Sequence, residues 1–240
     1  MSVSEIFNRE RPIPEVSYEQ MRPLLRSVFA WMLGGLLTST VVAFLTATNP
    51  ALIQLRATPG IAIGSFIVQL IVVIAIGYAL PRISSAVAAG LFLLYSALLG
   101  FSLSTILFYF EIGSIVTAFA TAAILFGTMA MFGFTTDINL MRFRNLLFIG
   151  LIGVIIASVL NIFVGSRPFE FLLSIVGVIV FMGLTAYDMQ NMKRMAAMIE
   201  MQGGGGELVA KYSIYGALAL YLDFINIFLF LLRIMGGGRD

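Results

Sequence analysis

Long apolar runs separated by short polar breaks dominate the chain from residue 27 onward. A helix that crosses a bilayer needs roughly 20 mostly apolar residues. Six stretches meet that requirement: 27–47, 61–80, 86–110, 113–134, 146–164 and 170–192. A seventh, 213–233, meets it only if Asp223, near its centre, is accommodated. The pattern predicts an all-α fold: a polytopic membrane protein built as a seven-transmembrane-helix bundle. A cytoplasmic N-terminal tail is expected over 1–26, the membrane domain over 27–235 and a short C-terminal tail over 236–240. The breaks are short except for 193–212, which contains QGGGGE at 202–207. Four consecutive glycines cannot hold a helix against their backbone entropy, so a mobile connection is expected between spans six and seven.

Composition agrees with the pattern. Soluble domains carry about 25% charged residues; this chain carries 11%, with 60% hydrophobic residues and a mean hydropathy of +1.03. Its first partner is therefore a lipid bilayer. The net charge of +2 arises from 14 basic and 12 acidic residues, too even and too sparse for a nucleic-acid surface. Cysteine and histidine are both absent. Disulfides, thiol chemistry, the usual zinc sites and Ser-His catalysis each lose a necessary residue, and no tightly bound cofactor is expected. A pH response near neutrality must then come from a carboxylate, lysine or tyrosine in an unusual environment. Residues 1–26 hold four arginines, four glutamates and prolines at 12, 14 and 23, without the apolar core of a secretory signal.

Basic residues set the expected orientation. With the N-terminus inside, Arg9, Arg11, Arg22, Arg26, Arg82, Arg142, Arg144, Lys193, Arg194 and Lys211 all fall on the inner side. Arg56, Arg167, Arg233 and Arg239 fall outside. A re-entrant last segment would move Arg233 and Arg239 inward and strengthen this bias, whereas the length of 213–233 favours a full span.

Inside the spans the ionisable residues are Asp188 and Asp223, with Glu111 at a boundary. An aspartate at the centre of a membrane helix costs about 2.5–3.5 kcal/mol, so it should face the protein interior or a water-filled cavity. Asp223 is read either as a functional carboxylate or as one that locks helices together by hydrogen bonding. Asn226 lies three residues on and shares its helical face; interhelical bonding is the simpler role for it. Asp188 ends the run GLTAYD close to Lys193 and Arg194, where a boundary carboxylate is the plain alternative to a functional one.

Spans six and seven are consecutive and antiparallel, so the two carboxylates could meet. At 1.5 Å per residue, Asp223 lies about 18 Å from Lys211 and Asp188 about 7–8 Å from Lys193. A tilt, a kink or a deeper span six is then required. A touching pair would share a proton, and two bare carboxylates offer hard oxygens suited to Ca²⁺. Arg82, in YALPRISS, is an interfacial arginine and the natural counter-ion for an inner-side carboxylate. Gln69 and Asn161 read as interhelical bonding groups, and the Met-rich run 188–201 as amphipathic packing rather than a metal site.

Two stretches carry a resemblance: MGLTAYDMQNMK (182–193) and GALALYLDFINIFLFLLRIMG (216–236). Together they resemble the Bax inhibitor-1 family, also called transmembrane BAX inhibitor motif proteins. The resemblance implies a seven-helix bundle with the last helix central, in the inner membrane if the chain is bacterial. It also implies a pH-sensitive Ca²⁺ leak gated by an aspartate pair and an arginine latch. Asp188 and Asp223 fall on the two aspartate positions, and Arg82 is the best match for the latch. The chain departs from the pattern in its Gly-rich connection, in the lone arginine of LPRISS, and in offering Gln69 where an acidic residue can occur.

Three functions compete. The first is a non-enzymatic cation channel or leak with Ca²⁺ and protons as its partners: Asp188 and Asp223 form the gate, and Arg82 holds it closed. The second is a non-transporting membrane protein that binds other membrane proteins through its tail or the 193–212 loop. The third is an intramembrane aspartyl protease, which the absence of a Gly-x-Gly-Asp motif argues against, since the second aspartate lies in YLDF.

Overall fold

The computed structural model describes residues 18–236. The N-terminal tail reading for 1–17 and nearly all of the C-terminal tail lie outside them. Among the described residues there are nine α-helices and no strands. Helix α1 is Tyr18–Thr48, α2 Pro50–Ala57, α3 Pro59–Ala79, α4 Ser85–Leu103 and α5 Ile106–Tyr109. Helix α6 is Ile112–Thr135, followed by a 3₁₀ turn at Leu140–Phe143, then α7 Arg144–Val164, α8 Arg167–Met201 and α9 Gly206–Met235. Seven of these segments are long and apolar enough to cross a membrane. The protein is an all-α polytopic membrane bundle.

Two helices run beyond their apolar spans. Helix α1 is already formed at Tyr18, and Met21, Leu24, Leu25, Val28 and Met32 make one buried stripe along it at helical spacing. Residues 18–26, within the stretch read as the N-terminal tail, are helix. Helix α8 continues past Lys193 to Met201, with Met189, Met192, Met195 and Ile199 buried on one face. Lys, Arg, Met, Ala and Glu all favour helix, so the charged end does not stop it. The expected loop 193–212 thus shrinks to 202–205, where Gly203 and Gly204 adopt positive φ and turn the chain. The rest of that stretch is helix.

The predicted span 86–110 is interrupted after Leu103. Ser104 Oγ donates to the Phe101 carbonyl at 2.7 Å and Thr105 Oγ1 to the Ser102 carbonyl at 3.2 Å. These bonds compete with the helix ladder at the point where α4 gives way to α5.

Helix α9 occupies the centre. It is the most buried of the seven, with 61% of its apolar window inside the bundle, and it packs against α8, α1, α6 and α4. Its far end pairs with the start of α8 through Arg233 Nε and Glu170 Oε1 at 3.9 Å. The last segment therefore spans the bundle and does not turn back. At its other end the Glu207 carboxylate accepts from Ser85 N at 2.8 Å and Ser85 Oγ at 2.6 Å, tying the start of α9 to the start of α4. Helices approach closely where glycine allows: a Cβ on Gly133 of α6 would collide with the Ala186 carbonyl of α8.

Candidate carboxylate site

Helices α8 and α9 lie antiparallel and pack along their length, and this brings the two aspartates together. Asp188 is half-buried and Asp223 is only 4% exposed. Both carboxyl groups line one cavity, close enough to act on each other electrostatically. The depth mismatch expected from Lys193 and Lys211 narrows from about 10 to about 6 Å because the helices join at 202–205. Measured from the helix ends at that connection, Asp188 and Asp223 lie about 20 and 26 Å deep at 1.5 Å per residue.

Asp223 is poorly served by donors. Thr185, one turn before Asp188, lies against it. The single hydroxyl hydrogen of Thr185 goes to the Phe181 carbonyl at 2.8 Å. Asp223 Oδ2 is buried with no hydrogen-bond partner among the described residues. A buried carboxylate in this state calls for a proton, a cation or water. Two ionised carboxylates in contact would also repel each other.

Both aspartates line a cavity of about 990 Å³ together with Gln69, Asn226, Asn191 and Tyr95. Four of the five residues singled out from the sequence thus share one chamber. Gln69 is buried and bridges helices, donating to Ser65 O at 3.1 Å and to Ser102 Oγ on α4 at 2.9 Å. Asn226 donates to Leu222 O of its own helix at 2.8 Å, so the bond given in the structure is within α9. Arg82, the fifth, is exposed beyond the end of α3. Its guanidinium sits 5.4 Å over the Tyr78 ring, and it is not among the cavity-lining residues.

The arginines that do line the cavity are Arg144 and Arg194, at the end nearest the N-terminal side of the bundle, with Tyr187 and Tyr215 beside them. Arg144 is placed by the preceding turn. Asn139 Oδ1 accepts from Met141 N at 3.1 Å, and buried Gln190 clamps the segment, accepting from Leu140 N and donating to Ile138 O, both at 2.8 Å. Sequence reading counted these arginines only as inner-side charge. One signal was available: Asp188, Asn191 and Arg194 recur every three residues on one helix, which puts them on adjoining faces. For Thr185, the same spacing from Asp188 was the clue.

Among the described residues, no group of three or more acidic, His or Cys side chains gathers. A divalent cation here would meet two carboxylates, neutral amide oxygens and water. That ligand set is sparse beside the six to eight oxygens Ca²⁺ takes.

Comparison with known proteins points one way. The family profile described as "Inhibitor of apoptosis-promoting Bax1" matches residues 21–240. The inner membrane protein YbhL of Escherichia coli strain K12 is 41% identical over 220 residues, covering 91% of this chain and 93% of its own. A protein of Borreliella burgdorferi is 42% identical over 217 residues, covering 90% and 92% of the two chains. A membrane protein of Streptococcus pyogenes serotype M6 is 40% identical over 179 residues, covering 74% and 75%.

Proposed function

The chain belongs to the Bax inhibitor-1 family, and from that premise we propose that it is a pH-sensitive membrane leak for cations, Ca²⁺ foremost. The observation that carries the reading is Asp223. It is a carboxylate deep in the central helix with a donor-free oxygen, and it lines the same cavity as Asp188. Such a pair responds to whatever cancels its charge, a proton or a cation.

In this reading Ca²⁺ is the cargo. It exchanges hydration for the Asp188 and Asp223 oxygens, aided by the Asn191 and Asn226 amides, and leaves readily because those ligands are few. Protons compete for the same oxygens. Arg82 supplies the latch from beyond the end of α3, the helix that contributes Gln69 and Gly77 to the cavity wall. A charge-assisted bond to the pair would hold the gate closed, and protonating the pair would weaken it. The excess of basic residues supports placing the N-terminus, the latch and the arginine end of the cavity on the cytoplasmic side. The printed name of the Escherichia coli relative supports the inner membrane.

The test is Ca²⁺ flux into proteoliposomes that enclose a Ca²⁺ indicator. Asp188→Asn and Asp223→Asn should each change the flux several-fold at fixed pH, and Arg82→Gln should raise it. Unchanged flux in both aspartate variants would sink the proposal.

A further inference from the structure

The cavity has a second end that the aspartate pair does not explain. Helices α3 and α7 both line it, yet each packs mainly on another helix: α3 against α4, and α7 against α8. They are also the two least buried spans, at 17% and 6%. The chamber is therefore walled on its lipid side by two separated helices, with Leu70 and Val73 on one and Leu151 and Ile155 on the other. A slot lined this way suits a hydrocarbon chain.

At the N-terminal-side end of the same slot stand Arg144 and Arg194. Neither makes an ion pair or hydrogen bond among the described residues. Asp188, the nearest candidate partner in the cavity, is engaged with Asp223. Tyr187 and Tyr215, both half-buried, turn to the same space and can donate through their hydroxyls. Two guanidinium groups with adjacent hydroxyl donors match a phosphate, which Arg binds through paired N–H groups. Arg144 opens α7, so in a spanning bundle the arginine end would fall near the headgroups, and the apolar slot continues from it along the helix. Arg144 to Ile155 spans about 16 Å along α7.

We propose that an anionic phospholipid occupies this cavity, its headgroup phosphate held by Arg144 and Arg194 and one acyl chain laid between α3 and α7. The cavity is then a polarised lipid site with its carboxylates beyond the headgroup, open sideways to the leaflet on the N-terminal side. A soluble phosphate would use the arginines alone and have no use for the slot, and a zwitterionic lipid would bring a cation against them.

The full-length protein in detergent tests this by thermal unfolding and by native mass spectrometry of retained lipid. The probes are dioleoyl phosphatidylglycerol, dioleoyl phosphatidylcholine, glycerol 3-phosphate and inorganic phosphate. Phosphatidylglycerol should stabilise and remain bound, phosphatidylcholine at least tenfold more weakly, and the two soluble phosphates not measurably. The Arg144→Gln/Arg194→Gln variant should weaken phosphatidylglycerol binding at least tenfold. Leu151→Trp, which fills the slot and leaves both arginines, should weaken it too, and it decides the matter if the double variant does not fold. Equal retention of the two lipids would overturn the proposal. So would saturation by glycerol 3-phosphate alone, or wild-type binding in a folded variant of either kind.

Discussion

Tyr221 and Asp223 stand two residues apart on α9, both buried, and they belong to opposite kinds of interior. Tyr221 enters the seam where α1, α4 and α9 meet. Its hydroxyl donates to Ser39 Oγ, which passes its own hydrogen to the Ser96 carbonyl at 2.8 Å. Phe92 closes the seam edge-on at 5.7 Å from the Tyr221 ring. Gly100 lets the backbones touch there, since a Cβ would strike the Ser39 backbone. Asp223, turned about 200° round the helix at 100° per residue, enters the cavity and finds no donor for Oδ2. The seam satisfies every polar group it buries and is filled with side chains. The cavity wall instead buries an Asp223 oxygen that has no hydrogen-bond partner among the described residues. Stability resides in the first region, and the proposed response to ions would reside in the second.

Glycine substitutions break this comparison most sharply. Gly100→Ala places a methyl group against backbone that cannot yield, and should cost about 3 kcal/mol or abolish folding. Thermal unfolding in detergent measures it, and a loss of only a few tenths would mean that the seam is not close-packed. Tyr221→Phe keeps the ring and removes one hydroxyl. Ser39 keeps its bond to Ser96, so a loss of about 1 kcal/mol is expected. Gly77→Ala should matter least. This cavity-wall position has nothing within 4 Å of a new Cβ, and alanine favours helix by up to about 1 kcal/mol over glycine. A slight gain in stability is expected, and a loss comparable to that of Gly100→Ala would erase the distinction between the two regions.

Much of this was legible in the sequence, and for definite reasons. The spans followed from apolar length alone, and Asp223 declared itself because a carboxylate amid GALALYLDFINIFLFLL is costly without a purpose. What average hydropathy hid was amphipathic continuation. Met21 to Val28 and Met192 to Ile199 extend α1 and α8 with one buried face and one charged face, which a sliding average reads as polar. That error inflated the 193–212 loop and enlarged the depth mismatch between the aspartates. Arg144 and Tyr215 escaped notice for another reason. Their place depends on helix rotation and on which helices stay apart, and no local pattern encodes that. Arg82 shows the converse: a motif can suggest a role while the side chain rests over Tyr78.

The central claim is that Asp188 and Asp223 act as one proton-sensitive unit. The most direct test is the pH profile of Ca²⁺ flux through proteoliposomes made with the wild type, Asp188→Asn, Asp223→Asn and the double variant. Groups that act as a unit are non-additive. Each single replacement should therefore flatten the profile, and the double variant should match either single one. A double variant that keeps the wild-type profile, or single variants whose effects simply add, would contradict the account.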